Sequence, residues 1–345
     1  MIEFPLPPLS VLDVCGADAA TILNNLTTND VRSLPEPVRG ADAKGRCFGL
    51  ETFITDVRGR CIGHVIAYRL QDRYRLIGAA GQSDGIANHV DRYTIREDVS
   101  VVQHGRQYLA KLMAPLEKKE IGDTSAEKEL PPHALKGFVE GTDHIRVEVP
   151  WLSQLPEQER ADEDSRWWLD LRIGVEAAAP GRIAMDPSDS FHHARIAAGF
   201  PWHGVDFDDA NLPQELDRDA FAISFHKGCY LGQETVARLD ALGKVQKKLV
   251  SWELQHALLP PDIPRPDHRL YASPEDAQRA EEGEKVKPVG RLTSVVALSA
   301  DDGVSAKDAS VSHLALGMAR RSHFEAGATA YGVLPSGGDF SGVVR

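Results

Sequence analysis

Short stretches of alternating apolar side chains run through most of this chain, and helix-forming stretches interrupt them at irregular intervals. Residues 48–54 place Phe, Leu, Thr and Ile on one face, and a turn at residues 57–60 leads into a second such stretch over residues 62–68. Alternation of this kind predicts strands, and two strands joined by a short turn predict a hairpin. Because strands and helices do not follow the regular spacing of βαβ units, the sequence predicts an α+β fold.

The same pattern divides the chain into three parts. Residues 1–105 predict a first α+β subdomain, which opens with a strand over residues 9–14 and a helix that Asp18 caps. Residues 106–243 predict a second α+β subdomain, and residues 244–345 turn mostly to strands, which predicts a C-terminal β-barrel. Two polar, charge-rich stretches, residues 117–129 and 156–164, are interpreted as surface insertions.

Charge and cysteine usage exclude several classes of protein. Lysine and arginine total 39 against 51 aspartate and glutamate, which gives a formal net charge of -12. Such a surface lacks the clustered basic side chains that neutralise phosphate, so we expect no direct nucleic-acid partner. No apolar stretch approaches the roughly 20 residues of a bilayer helix, and the N-terminus does not resemble a signal peptide. We therefore expect no membrane partner. The 4 cysteines are widely and irregularly spaced, which disfavours a disulfide framework and predicts a cytoplasmic protein.

One segment, residues 227–234, concentrates the chemical signals. Cys229 lies between Gly228 and Gly232, which permit a positive φ or a close backbone approach, and a helix-forming stretch follows directly. The helix N-terminus and the neighbouring Lys227 and His226 favour a thiolate over a thiol. The pattern therefore predicts a nucleophile, a redox thiol or a single metal ligand. The competing interpretation is a buried packing cysteine, which the adjacent lysine and glycines disfavour.

The segment Lys-Gly-Cys-Tyr-x-Gly-Gln-Glu at residues 227–234 resembles the signature of the YgfZ-type folate-binding proteins linked to iron–sulfur cluster maintenance. These are relatives of the glycine-cleavage aminomethyltransferase (T-protein). The resemblance continues in the opening helix, in a central stretch and in the barrel: residues 16–31, 195–215, 289–294 and 314–317. It covers nearly the whole chain and is weakest over residues 115–165 and 255–288.

The resemblance implies an aminomethyltransferase-like fold with three subdomains in a ring around a central opening where tetrahydrofolate binds. A reduced pterin has a donor-rich edge that needs carboxylate or amide partners, and its glutamyl tail needs a cation. Gln233 and Glu234 are the predicted polar contacts, and Arg238 is the predicted partner of the tail. Asn29 and Arg195 are further candidate folate contacts. For each of these residues the alternative is an ordinary capping or surface role.

Two departures from the aminomethyltransferase pattern bear on activity. Residues 45–50 lack the aspartate that performs the proton and amine chemistry of that enzyme, and Glu51 is the nearest carboxylate. Ala197 stands where the enzyme has a glutamate that grips the pterin. Without an evident general base, we expect no aminomethyl transfer. The same two losses fit the YgfZ branch.

We therefore predict a folate-binding accessory protein that supports iron–sulfur cluster assembly or repair in client proteins. Cys229 is the predicted reactive group, Lys227 keeps it ionised, and Gly228 and Gly232 shape its loop. Because clusters normally take four ligands, one cysteine serves as a transient ligand or attacks an oxidised species, and no permanently bound metal is predicted. Two alternatives stay open: a folate-dependent one-carbon transferase or demethylase with Glu51 as base, and a non-catalytic module that docks a partner.

Overall fold

The computed structural model describes residues 3–4, 6–39, 45–113, 130–141, 143–152, 167–175, 190–243, 245–255, 264–297 and 311–345. Both stretches interpreted as surface insertions lie outside these residues. Within them, no helix is long and apolar enough to cross a membrane. The chain separates into two compact units, and the predicted division into three subdomains stays a prediction. The first unit is Met1–Ala184, Asp208–Pro213 and Arg218–Leu242, and the second is Met185–Phe207, Gln214–Asp217 and Gly243–Arg345.

The first unit is built on one antiparallel sheet of 11 strands, in the order β1-β8-β11-β10-β9-β4-β5-β6-β2-β7, with β3 paired to β4. Its strands are β1 Glu3–Phe4, β2 Leu9–Cys15, β3 Val38–Arg39, β4 Gly45–Thr55, β5 Cys61–Arg69, β6 Arg73–Ala79, β7 Ser100–Gln103, β8 Tyr108–Met113, β9 Leu135–Val139, β10 His144–Val149 and β11 Trp167–Ile173. The predicted hairpin is confirmed, because β4 and β5 pair across a tight turn at Asp56–Arg60.

Two helices of this unit cover part of the sheet, and two others flank the loop described below. They are α1 Ala19–Leu26, α2 Ser83–Arg92, α4 Asp219–Ala222 and α5 Gln233–Leu242. The apolar sides of α1 and α2 pack with β2, β4 and β6 in one core, to which Leu23, Ile86 and Leu76 contribute fully buried side chains. Apolar side chains at helical spacing on α1 thus anchor the helix whose end borders the candidate site.

The N-terminus of α1 is capped differently from the prediction. Asp18 occupies the N-cap position, but its side chain makes no capping hydrogen bond to α1. Its Oδ2 instead accepts the backbone N–H of Asp98, 2.8 Å away. The Asp18 carboxylate could accept from an N–H of the first turn of α1 or from a distant N–H, and in this structure it accepts from Asp98. The side-chain cap predicted from local sequence is therefore wrong.

The second unit contains the predicted C-terminal barrel, a six-stranded antiparallel sheet in the order β13-β14-β15-β12-β17-β16. Its elements are helix α3 Ser190–Ala197, strands β12 Lys247–Gln255, β13 Arg269–Leu270, helix α6 Pro274–Glu281, and strands β14 Gly290–Ala297, β15 Val311–Arg320, β16 Thr329–Val333 and β17 Asp339–Val344. Tyr271 and Tyr331 exchange two backbone hydrogen bonds of 2.8 and 2.9 Å, which join the two ends of the sheet. Trp252 and Leu292 fill the interior.

Candidate functional site

The segment predicted to be reactive, residues 227–234, lies in the loop between α4 and α5 and in the first turn of α5. Helix α5 begins at Gln233, as predicted from the helix-forming stretch. Within the loop, His226 and Cys229 are exposed, whereas Lys227 and Tyr230 are buried. Buried side chains therefore anchor the loop at two positions, and the thiol lies between them on the solvent side.

Cys229 lies beside a cavity of about 420 Å³ in the first unit. All four cysteines fall in the described residues: Cys47 and Cys61 are buried, Cys15 is partly buried and Cys229 is exposed. Burial raises the pKa of Cys47 to about 12, so that thiol stays neutral. Because Cys229 is exposed, its interpretation as a buried packing residue is wrong. Besides Cys229, one amide and five apolar or aromatic side chains line the cavity: Ile22, Asn25, Leu26, Tyr93, Tyr230 and Leu231.

Lys227 points its ammonium at the C-terminal end of α1. Its Nζ donates to the backbone carbonyls of Asn24, Thr27 and Asn29 at 2.7, 2.7 and 2.8 Å. The last carbonyls of a helix lack partners within the helix and carry partial negative charge, so a cation is favourable there. Burial lowers the pKa of Lys227 to about 7, and the charge of Asp30 opposes that shift.

Gly232 lets the loop approach the β4–β5 turn backbone to backbone. Its φ is +81°, and a Cβ placed there would come within 2.6 Å of the Gly59 Cα and 2.7 Å of the Gly59 nitrogen. A side chain is excluded on both grounds. Gly228, by contrast, has no positive φ, and a Cβ there would meet nothing within 4 Å. The prediction that both glycines shape the loop is therefore supported at Gly232, whereas the geometry at Gly228 does not require glycine.

The three predicted folate contacts that follow the loop lie on helix α5. Gln233 is half-buried, and Glu234 and Arg238 are exposed. Glu234 and Arg238 are four residues apart, so they lie on the same face of the helix. None of the three is among the described residues that line the cavity beside Cys229. Their contact with folate stays a prediction.

Asn29 joins the sheet to the short helix α4. Its Nδ2 donates to the carbonyls of Glu51 and Phe221, both at 2.9 Å, and its Oδ1 accepts the backbone N–H of Asp30 at 2.9 Å. The side-chain amide therefore has partners at both its nitrogen and its oxygen, which indicates a structural role. A folate contact at Asn29 stays a prediction.

A buried ionic cluster that no sequence pattern indicated lies on β4. Glu51 Oε1 accepts from Arg218 Nε at 2.7 Å and bonds His64 Nε2 at 2.8 Å, and Arg218 Nη2 donates to Oε2. Burial alone would raise the pKa of Glu51, but the charge and hydrogen bonds of Arg218, with those of His64, lower it to about 2. A carboxylate so held accepts a proton poorly at neutral pH, which weakens the interpretation of Glu51 as a general base.

Arg195 lies in the second unit, where it is fully buried. Its guanidinium donates to Asp206 Oδ2, His192 Nδ1 and Ser294 Oγ at 2.7, 2.7 and 2.8 Å. Asp206 Oδ1 in turn accepts from Thr293 and Ser294. A buried arginine with these partners holds the segment after α3 to the barrel strand β14. Its predicted contact with folate stays a prediction.

The described residues contain no group of three or more His, Cys, Asp or Glu side chains that could hold a metal ion. The second unit has a cavity of its own, of about 460 Å³, beside α6. Polar, charged and apolar residues line it: Arg265, Pro266, Asp267, His268, Arg269, Tyr271, Ala277, Ala280, Glu281 and Val333. None of the site residues predicted from the sequence lines it.

Comparison with solved structures identifies the class of fold. The crystal structure of the glycine cleavage system aminomethyltransferase T from Bartonella henselae superposes with a TM-score of 0.69, covering 99% of this chain and 84% of that one at 14% identity. Identity at this level speaks to the fold alone. The α+β, aminomethyltransferase-like fold predicted from the sequence is confirmed.

Sequence comparison finds similar proteins that are named as iron-sulfur cluster assembly factors or as YgfZ. The human iron-sulfur cluster assembly factor IBA57, mitochondrial, is 28% identical over 254 residues, which are 71% of this chain and 64% of the human protein. Its Dictyostelium discoideum homologue is 22% identical over 290 residues, 71% of this chain and 60% of that protein. The tRNA-modifying protein YgfZ of Colwellia psychrerythraea is 49% identical over 55 residues, 16% of this chain and 17% of that protein.

The chain thus matches less than two thirds of the length of the two iron-sulfur cluster assembly factors. No protein-family model matches it. The resemblance to the YgfZ-type proteins and their aminomethyltransferase relatives, predicted from residues 227–234 and the stretches around them, is confirmed by these relatives.

Proposed function

We propose that this protein is an assembly factor for iron–sulfur clusters, and that it acts on client proteins through the Cys229 thiol. The observation that carries the proposal is an exposed thiol at the edge of a cavity of about 420 Å³, in the segment that resembles the YgfZ signature. Two similar proteins are named as iron-sulfur cluster assembly factors, which supports the same role here. The cytoplasm, expected from the cysteine usage, is the proposed compartment.

The chemistry proposed for Cys229 is ligand exchange at a cluster iron. When the sulfur bonds to iron, its proton passes to solvent and one existing ligand of that iron leaves. In the reverse exchange a client thiolate replaces Cys229, which takes a proton back, and no oxidation state changes. Clusters normally take four ligands, so the carrier or client supplies the others. An exposed sulfur suits such an exchange because both partners must reach it.

Tetrahydrofolate is the second proposed ligand, and the cavity beside Cys229 fits it in part. The volume is within the ~300–1,000 Å³ of ligand pockets, and Tyr93 and Tyr230 give aromatic walls. Asn25 is the one side-chain amide in the described lining, which contains no carboxylate for the donor-rich pterin edge. We therefore propose folate binding from the resemblance, with Gln233, Glu234 and Arg238 as its polar contacts, and derive no chemical step from it.

The folate-dependent transferase alternative receives no support from the geometry. It requires a base, and the nearest carboxylate, Glu51, is buried and bound to Arg218. The pKa of Glu51, lowered to about 2, keeps it ionised but weakly basic. The non-catalytic docking module is left as an outcome of the test below.

Replacing Cys229 by alanine tests the proposal. We expect Cys229→Ala to lose rescue of a strain that is defective in iron–sulfur enzymes, while its unfolding free energy stays within about 0.5 kcal/mol of the wild-type value because the side chain is exposed. The activities of iron–sulfur enzymes in cell extracts give the readout. Cys15→Ala, which removes a cysteine away from the cavity, should rescue fully.

Full rescue by Cys229→Ala would remove the thiol from the mechanism and favour the docking module. Loss of rescue by both cysteine variants would point to general instability, which the unfolding measurement reports separately. Only loss confined to Cys229→Ala supports ligand exchange at this sulfur.

Calorimetric titration with tetrahydrofolate tests the second ligand. We expect the wild-type protein to bind it, and Arg238→Gln to weaken binding about tenfold through loss of a charge-assisted contact with the tail. Arg58→Gln, which changes an exposed arginine of the β4–β5 turn, is the control and should bind as the wild type does. If the wild-type protein releases no binding heat, the folate proposal is wrong and the Cys229 proposal is unaffected.

A further inference from the structure

We propose that Lys227 is a positioning residue, whose ammonium clamps the Cys229 loop to the end of α1 and so forms the cavity beside the thiol. The sequence suggested another role, in which the charge of Lys227 keeps Cys229 ionised. The inference rests on the proposed function only in taking Cys229 as the reactive group. The two roles predict different measurements.

The cavity has walls from two separate segments of chain, and Tyr93 at the end of α2 completes the lining. Ile22, Asn25 and Leu26 belong to α1, and Tyr230 and Leu231 follow Cys229 in the loop. These segments lie about two hundred residues apart in sequence, so nothing local keeps them together. The cavity exists only while the loop stays against α1.

The contacts of Lys227 join these two walls. Its three acceptors are the carbonyls of Asn24, Thr27 and Asn29, in the last turn of α1 and the segment that follows. Only 8% of Lys227 is exposed, so these bonds are largely shielded from water. Its Nζ also lies 5.1 Å from the ring centroid of Tyr230, which belongs to the loop wall of the cavity. Hydrogen bonds from a charged donor are stronger than neutral ones.

The carbonyl groups at the end of α1 take their hydrogen-bond donors from the loop. The helix has no basic residue in its last turn, and its C-cap is Thr27 rather than glycine. The Asn24 carbonyl accepts from Lys227, and the Asn25 carbonyl accepts the backbone N–H of Leu231 at 2.8 Å. Helix ends need such partners from elsewhere when the sequence provides none locally. Removal of the ammonium would take a donor from the Asn24 and Thr27 carbonyls and loosen the Leu231 bond beside them, whereas the Asn29 carbonyl would keep Thr27 Oγ1 and the Val31 N–H as donors.

The test compares Lys227→Gln and Lys227→Arg in the full chain, each with Cys15→Ser so that Cys229 is the accessible thiol. Iodoacetamide alkylation measures it: the thiolate displaces iodide, an S–C bond forms, and the thiol proton has already passed to solvent. Rates from about pH 6 to pH 10 give the pKa of the thiol. Hydrogen exchange of the Leu231 amide reports whether the loop remains on α1, and it is measured near pH 6, where Lys227 with its pKa of about 7 carries a proton. His226→Gln, an exposed neighbour, is the matched control.

For a positioning role, Lys227→Gln should speed exchange of the Leu231 amide at least about tenfold and leave the thiol pKa close to the wild-type value. Lys227→Arg, which keeps the charged donor, should restore part of the protection, and His226→Gln should change neither quantity. Slow exchange of the Leu76 amide in β6 confirms that each variant is folded. A raised thiol pKa with unchanged Leu231 exchange would overturn the proposal in favour of electrostatic activation.

The rescue assay separates this inference from the proposed function. If Cys229→Ala rescues fully while Lys227→Gln still speeds exchange of the Leu231 amide, the positioning role of Lys227 is supported and the proposed role of the thiol is wrong. If Cys229→Ala fails to rescue and Lys227→Gln leaves the Leu231 amide protected from exchange, the proposed role of the thiol is supported and the positioning role of Lys227 is wrong.

Discussion

Glu51→Gln is expected to lower the free energy of unfolding by about 3–5 kcal/mol, the usual cost of removing one partner from a buried ion pair. The variant leaves the guanidinium of Arg218 in a site where its side chain is 1% exposed. A glutamine can accept at only one of the two carboxylate oxygen positions of Glu51, so its NH₂ faces a nitrogen of Arg218 in either orientation. A neutral amide of the same size keeps the packing, so the loss reports the charge and not a cavity. Urea unfolding, followed by the fluorescence of the buried tryptophans, measures it.

The same variant has a defined pH dependence. The pKa of Glu51 lies below its ordinary value of 4.5, at about 2, because Arg218 and His64 outweigh the cost of burial. A carboxyl with a lowered pKa stabilises the folded state fully above the unfolded value and loses that contribution as pH falls through the folded value. The difference between wild type and Glu51→Gln should therefore be constant near neutrality and shrink from about pH 4.5 towards pH 2.

Glu36→Gln supplies the control, since Glu36 also pairs with an arginine but its side chain is 81% exposed. Surface pairs contribute about 0–1 kcal/mol, so this variant should unfold nearly as the wild type does. If Glu51→Gln were as mild as Glu36→Gln at neutral pH, the buried cluster would not be the stabilising element that its geometry indicates.

Gly232→Ala should destabilise the protein by about 2–6 kcal/mol and displace the reactive loop. The estimate adds the cost of a positive φ at a residue with a side chain to the cost of overpacking, about 1–3 kcal/mol for each. The new Cβ would press on the backbone of Gly59 and on the carbonyl of Asp56. Backbone atoms cannot give way as a flexible side chain can. Unfolding in urea and alkylation of Cys229 measure the two effects.

Gly228→Ala is the matched control within the same loop. Its φ is not positive and its Cβ would meet nothing within 4 Å, so the change in stability should stay below about 1 kcal/mol. Equal effects at the two glycines would mean that the loop does not pack on the β4–β5 turn as described.

The local patterns in this sequence predicted most of the secondary structure near the site. Helix α5 starts at Gln233 and the β4–β5 hairpin turns at Asp56–Arg60, because both depend on residues adjacent in the chain. The barrel followed from the density of alternating strands after residue 244. The exposure of Cys229 followed in the same way, since a lysine and two glycines beside a cysteine are unusual in an apolar core.

The partners of charged side chains could not be predicted from the same patterns. Lys227 bonds carbonyls 203, 200 and 198 residues away, and Arg218 bonds a carboxylate 167 residues away. Such pairs depend on how strands are ordered in the sheet, and no periodicity encodes that order. The absence of a basic residue or glycine at the end of α1 was the one signal in the sequence that a partner must come from elsewhere.

The way both sheets end bears on how the protein behaves at high concentration. An unpaired strand margin can recruit a second chain and start aggregation. The barrel closes its margins through Tyr271 and Tyr331. In the first unit, the described sheet ends in β1, of 2 residues, and β7, of 4. Among the described strands, then, the terminal strands of the first unit are short and those of the barrel pair with each other, so we expect little strand addition to β1, β7 or the barrel.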